Sequence, residues 1–236
     1  MTRSSRRLHH RGFTLVELLT VIAIIGILAL MLIPSIGKVM DTARKATASS
    51  NLRQIAIAYM NFTTENGRAR TMNATSAYDW TRQLAEKVSF NDASIYILPD
   101  DPAVEKETRP LPKVVATPPV SGGGDWAMAP AFQGYPLSFA FANKLSTRAP
   151  VSTTPIAWTR GLQLDGTWAD LTATTPGVYG KEGGHVVFLD GHVEYFENLS
   201  AEGGKLVNYT TKTTTSSIKD ALSPDTEGLD YKGKVF

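Results

Sequence analysis

Between Phe13 and Ile33 the chain carries 21 consecutive residues with a single charge, Glu17. At about 1.5 Å of rise per residue, a helix over this run is about 30 Å long, the thickness of one hydrocarbon core. An all-round apolar helix must be covered, by lipid or by other apolar helices. A basic stretch precedes it: residues 1–12 hold Arg3, Arg6, Arg7 and Arg11 and no acid. The arginines lie on one side only, which predicts a cytoplasmic N-terminus and an outward-facing remainder. The formal net charge is +2, so without these four arginines it is +2 − 4 = −2. A slightly acidic body argues against general phosphate-backbone binding, and no nucleic-acid partner is expected.

Three readings of the apolar run compete. A secretory signal peptide shares the basic start and apolar core, but this run is longer, Glu17 interrupts its beginning and no A-x-A site follows. A plain membrane anchor accounts for the length and leaves Glu17 as a snorkelling interfacial acid. The third reading gives Glu17 a purpose. A carboxylate near the end of a membrane helix costs about 2–4 kcal/mol unless it snorkels or finds a partner. If the chain is cut after Gly12, Phe13 gains a free α-amine four residues before Glu17. The two can neutralise each other within one helix, where i and i+4 share a face, or between adjacent subunits, where the pair also sets axial register.

The stretch Arg11-Gly12-Phe13-Thr14-Leu15-Val16-Glu17-Leu18-Leu19 resembles the prepilin cleavage and methylation motif of type IV pilins and type II secretion pseudopilins. A short basic leader ending in glycine, then phenylalanine, then glutamate as fifth mature residue, then an apolar helix all match that family pattern. The resemblance implies that Gly12 precedes the scissile bond, that Phe13 becomes the N-methylated first residue and that Glu17 is the assembly carboxylate. It also implies a prepilin peptidase, other pilin or pseudopilin subunits, an inner-membrane assembly platform and membrane lipid as partners. The expected location is the bacterial inner membrane in a single pass, with the globular part periplasmic, and then a filament. Pro34 resembles the proline that many members have in this helix. Physically it removes a backbone bond and marks either a bend or the exit from the membrane. Gly26 permits close helix approach.

The expected fold is α+β: a long N-terminal helix, membrane-spanning in its first half, packed on a C-terminal antiparallel sheet. Residues 1–12 form a leader, 13–65 the helix and 66–236 an extracytoplasmic β-rich domain. After Pro34 the apolar positions Ile36, Met40, Ala43, Leu52, Ile55, Ala56, Tyr59 and Phe62 fall mostly three and four apart, which predicts a helix whose Leu52/Ile55/Tyr59/Phe62 stripe packs on the sheet. Asn66-Gly67 supplies a stop. Trp80, Leu84 and Val88 predict a second, weaker helix. From Pro99 to Pro155 proline and glycine predict short strands and long loops. Two sites where relatives commonly have cysteine hold Ala48 and Leu98. The resemblance thus implies a lost covalent tie replaced by packing.

The strongest local signal is Gly184–Phe196, GHVVFLDGHVEYF, where two alternating runs flank Asp-Gly and predict a two-residue hairpin loop. In that register Val186, Phe188, Val193 and Tyr195 face the helix, and His185, His192 and Glu194 share the other face. The hairpin also resembles a histidine and Asp-Gly signature of the pilin-like family. His185 and His192 sit at opposite ends of the hairpin, so no metal is expected there. Asp225, Glu227 and Asp230 leave calcium in a C-terminal loop as an open alternative.

With no cysteine, thiolate metal sites, disulfides and a catalytic thiol are excluded. The sequence lacks Gly-x-Ser-x-Gly, a Walker loop and Gly-x-Gly-x-x-Gly, and the chain is not expected to be an enzyme or to need a cofactor. The leading expectation is a structural subunit of a type II secretion pseudopilus. The alternatives are a pilus for adhesion, motility or DNA uptake, and a membrane-anchored binding module that never polymerises.

Overall fold

A single helix, α1 (Leu15–Glu65), runs through the whole apolar segment and on into the amphipathic one. The computed structural model describes residues 13–65, 71–120, 124–200 and 204–236, with backbone alone at 31–35. Gly12 and the Asn66-Gly67 stop lie outside the described residues. The chain divides into two compact units, Met1–Lys45 and Ala46–Phe236, with the boundary inside α1.

In the first unit the large apolar side chains face outward on every side of α1: Phe13, Leu15 and Leu30 are 72%, 78% and 73% exposed. The described residues do not show the expected membrane-spanning first half. Among the described residues no helix is long and apolar enough to cross a membrane. Side chains of the run are described only from Phe13 to Leu30, and this described stretch is short of a full span.

In the second unit α1 becomes one-sided. Ala48, Leu52, Ile55, Ala56, Tyr59 and Phe62 are buried, while Arg53, Ile57 and Asn61 are exposed. The predicted stripe therefore packs. Its partner is first α2 (Ala77–Val88), which the Trp80/Leu84 spacing foretold. Ser76 caps α2 by accepting from Asp79 N at 3.1 Å, and Ser89 closes it in the left-handed region at φ 57°. Tyr59 stacks on Trp80 at 5.7 Å, and Trp80 on Phe141 at 4.4 Å. The Trp80 indole N–H donates to Ala142 O at 3.1 Å, so this aromatic stack satisfies its one polar group as it buries it.

The sheet begins beyond a short helix, α3 (Pro102–Glu105), and a small pair of strands, β1 (Ala116–Thr117) and β2 (Ala127–Met128). It contains β3 (Phe139–Asn143), β4 (Pro155–Thr159), β5 (Gly184–Phe188) and β6 (Val193–Phe196). A two-strand pair, β7 (Leu206–Val207) and β8 (Thr214–Thr215), intervenes before β9 (Glu227–Asp230) and β10 (Gly233–Lys234). The spatial order is β10-β9-β3-β4-β5-β6, antiparallel throughout. The architecture is α+β, a long N-terminal helix followed by a C-terminal antiparallel sheet. Every residue of β3, β4 and β5 is buried, so these central strands are covered on both faces and lose simple alternation.

Candidate functional site

At the start of α1, Thr14 and Glu17 form a reciprocal cap. Glu17 N donates to Thr14 Oγ1 at 3.2 Å, and Glu17 Oε2 accepts from Thr14 N at 2.8 Å and Thr14 Oγ1 at 2.7 Å. The carboxylate thus satisfies the backbone N–H and the hydroxyl of Thr14 in its own chain, and Thr14 is the residue that sequence reasoning passed over. The signal was present: Thr-x-x-Glu ahead of an apolar run is a capping box. Phe13 stands 72% exposed beside it, and Gly12 lies outside the described residues. Three features therefore meet at one helix end: an exposed aromatic, a carboxylate held on the surface, and an apolar shaft beginning at Leu15.

A second polar cluster lies deep in the larger unit. Arg160, just past β4, and Asp101, ahead of α3, form an ion pair with both side chains fully buried. Arg160 Nη1 donates to Asp101 Oδ2 at 2.8 Å and to Leu137 O at 2.7 Å, Nη2 donates to Asp101 Oδ1, and Nε donates to Pro176 O at 2.9 Å. Asp101 accepts in addition from Ala103 N at 2.9 Å and Ser138 Oγ at 2.7 Å. The Tyr231 ring covers the guanidinium at 5.1 Å. Each of the three guanidinium nitrogens has an acceptor, so the pair clamps the Leu98–Pro102 segment to the sheet. Ala48 and Leu98 are themselves buried in the apolar core.

The hairpin forms where the Asp-Gly signal placed it, but in a register one residue away. Val187 faces Val193, Val186 faces Glu194 and His185 faces Tyr195. Phe188 N donates to His192 O at 3.0 Å and Gly191 N to Phe188 O at 2.9 Å, with Gly191 at φ 86°. The loop is therefore the three residues Leu189-Asp190-Gly191, a turn closed by a left-handed glycine rather than a two-residue turn. One residue of slip exchanges faces. Val187 and Val193 lie on the face of Phe141, whereas Val186, Phe188, His192 and Glu194 lie on the other. His185 thus faces away from His192 and Glu194, and the three are not convergent. His192 instead stacks on Phe188 at 4.2 Å and binds Asp190 through Nδ1.

Among the described residues no group of three or more histidines and carboxylates is placed to hold a metal ion. In the C-terminal region Glu227 pairs with Lys144 at 3.1 Å and Lys234 at 2.9 Å, which hold its carboxyl down to about 2. Asp230 Oδ1 accepts from Lys232 N at 2.7 Å and Gly233 N at 3.0 Å, closing the β9–β10 turn. Burial pushes the Asp230 carboxyl up, against the opposing pull of these bonds and of Arg160. Asp230 lines an open cleft of about 410 Å³ with Trp158, Gln163, Thr174 and Lys232.

Comparison with known proteins bears on the helix end. Residues 7–33 match the model of the prokaryotic N-terminal methylation motif. The type IV major pilin protein PilA of Myxococcus xanthus (strain DK1622) is 42% identical over 59 residues, which cover 25% of this chain and 27% of that protein. The chain thus matches about a quarter of the length of this curated relative. No solved structure matches.

Proposed function

The chain is type IV pilin-like at its N-terminal end, and from that premise we propose that it is a structural subunit, not an enzyme, of a pilus or pseudopilus. Residues 1–12 are its leader, removed by prepilin peptidase after Gly12, and Phe13 becomes the methylated first residue. The apolar end of α1 anchors the chain in the inner membrane until assembly, with the larger unit extracytoplasmic. The assembly platform then transfers it into a filament of like and related subunits. The finer assignment we favour is a type II secretion pseudopilus.

The observation that carries this reading is the exposure of apolar side chains on every side of α1 from Phe13 to Leu30, next to the methylation motif. In the larger unit the same helix buries one face against its own domain and needs no partner there. In the first unit the cover must come from lipid or from other copies. Glu17 is the acid that neutralises a Phe13 amine, its own or a neighbour's. The Thr14 bonds keep its carboxylate satisfied on the helix surface meanwhile.

The test is the N-terminus and intact mass of protein extracted from membranes of its native host. A chain beginning at Phe13 with one added methyl supports the proposal. Gly12→Asp should then remain uncut, and Glu17→Val should be cut yet assemble poorly. An intact Met1 on the parent chain would refute processing and favour an anchored module. A start beyond Pro34 would make the segment an ordinary signal peptide.

A further inference from the structure

Among the described residues the six-stranded sheet ends in two open edges, β6 and β10, whose backbone phase, direction and charge match each other. Phe188 and His192 form a hydrogen-bonded pair, so Val187 and Val193 form the next, non-bonded one. The N–H and C=O of Val193 therefore point away from β5, toward the open edge. On the other side Val235 N donates to Gly228 O at 2.7 Å, which makes Lys234 and Leu229 a non-bonded pair. The N–H and C=O of Lys234 point outward too. These residues end one continuous row across the sheet: Lys234, Leu229, Phe141, Ala157, Val187, Val193. All six side chains lie on one face, because directly opposite residues share a face.

We infer that β6 of one copy pairs with β10 of a second copy, Val193 opposite Lys234, so that the sheet continues from subunit to subunit; the inference rests on the filament reading above. Strand directions alternate across all six strands, so β6 and the incoming β10 are antiparallel without rearrangement. In this register the two-residue turn Tyr231-Lys232, which leads into β10, comes beside the end of β6, where Glu197 follows Phe196. Glu194 meets Gly233, which has no side chain to obstruct it. The acidic edge carries Glu194 and Glu197, both exposed, and the basic edge Lys232 and Lys234, both exposed. Lys234 also touches Glu227, whereas the Lys232 ammonium lies over the Tyr231 ring at 5.2 Å and acts on the Asp230 carboxyl only through its field. The contact is short, a few residues of strand. It gains weight only where the helices already hold copies side by side and raise their effective concentration.

The chain has no cysteine, which makes cross-linking clean. Within one copy the two edges are five strand spacings apart, about 24 Å. A disulfide requires a Cα separation under about 7 Å, so Val193→Cys with Lys234→Cys can join only different copies. Filaments sheared from cells expressing this double variant and oxidised should give a ladder of covalent multimers. Each single variant should give at most dimers. Filaments of the double variant that yield no ladder would overturn the inference. A parent chain that forms no filaments would overturn the filament reading, and this inference with it. Charge exchange guards against a double variant that fails to assemble. Glu197→Lys should lower filament yield by about two- to fivefold, as expected for an exposed pair, and adding Lys232→Glu should restore it. A yield that Glu197→Lys leaves unchanged, or that the second substitution lowers further, would also overturn the inference.

Discussion

Asp101→Asn is the substitution that most directly tests how the larger unit is held. Asn keeps the size of the side chain and the acceptor that caps α3 through Ala103 N. It removes the negative charge opposite Arg160, whose side chain is 0% exposed. The guanidinium cannot lose its proton and has no route to water. Breaking a buried pair from one side costs about 3–5 kcal/mol, because an uncompensated charge stays behind. For a domain of this size each kcal/mol moves the melting temperature by about 2–4 °C, so the expected fall is about 6–20 °C. The double variant Asp101→Asn/Arg160→Met removes both charges and should recover much of that loss. Recovery should stop short of the parent, because Leu137 O and Pro176 O lose the donors that Arg160 supplies at 2.7 and 2.9 Å. Thermal unfolding of the full chain in detergent, followed by circular dichroism, measures all three. A single variant within about 2 °C of the parent, at most about 1 kcal/mol, would refute the clamp. A double variant no better than the single would show that shape, not charge, is what the pair provides.

Two further predictions use the same assay. Gly184→Ala places a methyl 2.2 Å from Thr159 Oγ1 and 2.4 Å from the Trp168 ring; overpacking of this kind costs about 1–3 kcal/mol, and a neutral result would mean that Trp168 is free to move. Asp230 holds its proton to a higher pH folded than unfolded, since burial raises its carboxyl. Its contribution to stability is therefore complete below the ordinary carboxylate value and is lost as pH rises through the folded value. Asp230→Asn should flatten that loss, most visibly at neutral pH, and a pH profile identical to the parent's would contradict the sign.

What the sequence disclosed depended on whether the signal was local. The limits of α1 were legible because apolar character and period change along a continuous segment. Expected from about Phe13 to about Glu65, the helix runs from Leu15 to Glu65. The α2 pattern was legible for the same reason. The hairpin's existence was local, but its register was not: Asp-Gly admits a two-residue loop or a three-residue loop with a left-handed glycine, and both bury hydrophobic residues on one face. Val186, Val187 and Phe188 are all buried, so alternation in β5 had no power to choose. The Arg160–Asp101 pair was illegible because its partners are 59 residues apart and each looks like an ordinary surface charge in its own segment. At the helix end the family pattern drew attention to Phe13 and Glu17, and the Thr14 cap went unread although it was local.

The exposed apolar shaft and the Glu17 carboxylate have separable consequences for a filament. In a membrane, lipid already covers the shaft, so packing it against other helices gains little hydrophobic free energy. Against water the balance differs. Twelve large apolar residues from Phe13 to Leu30 are at least 45% exposed, and burying each fully gains about 1.5–3 kcal/mol relative to water. Even a fraction of that total exceeds what one ion pair contributes. On the filament reading proposed above, the carboxylate therefore governs whether a subunit joins, through register and neutralisation, while the shaft governs whether a joined subunit can leave. Glu17→Val should sharply reduce the number of filaments. The few that form, collected from cells overexpressing the variant, should resist dilution and heat as the parent filaments do, with detergent dissolving both at similar concentrations. Variant filaments that fall apart on simple dilution would show that the carboxylate, not the apolar shaft, holds the assembled fibre.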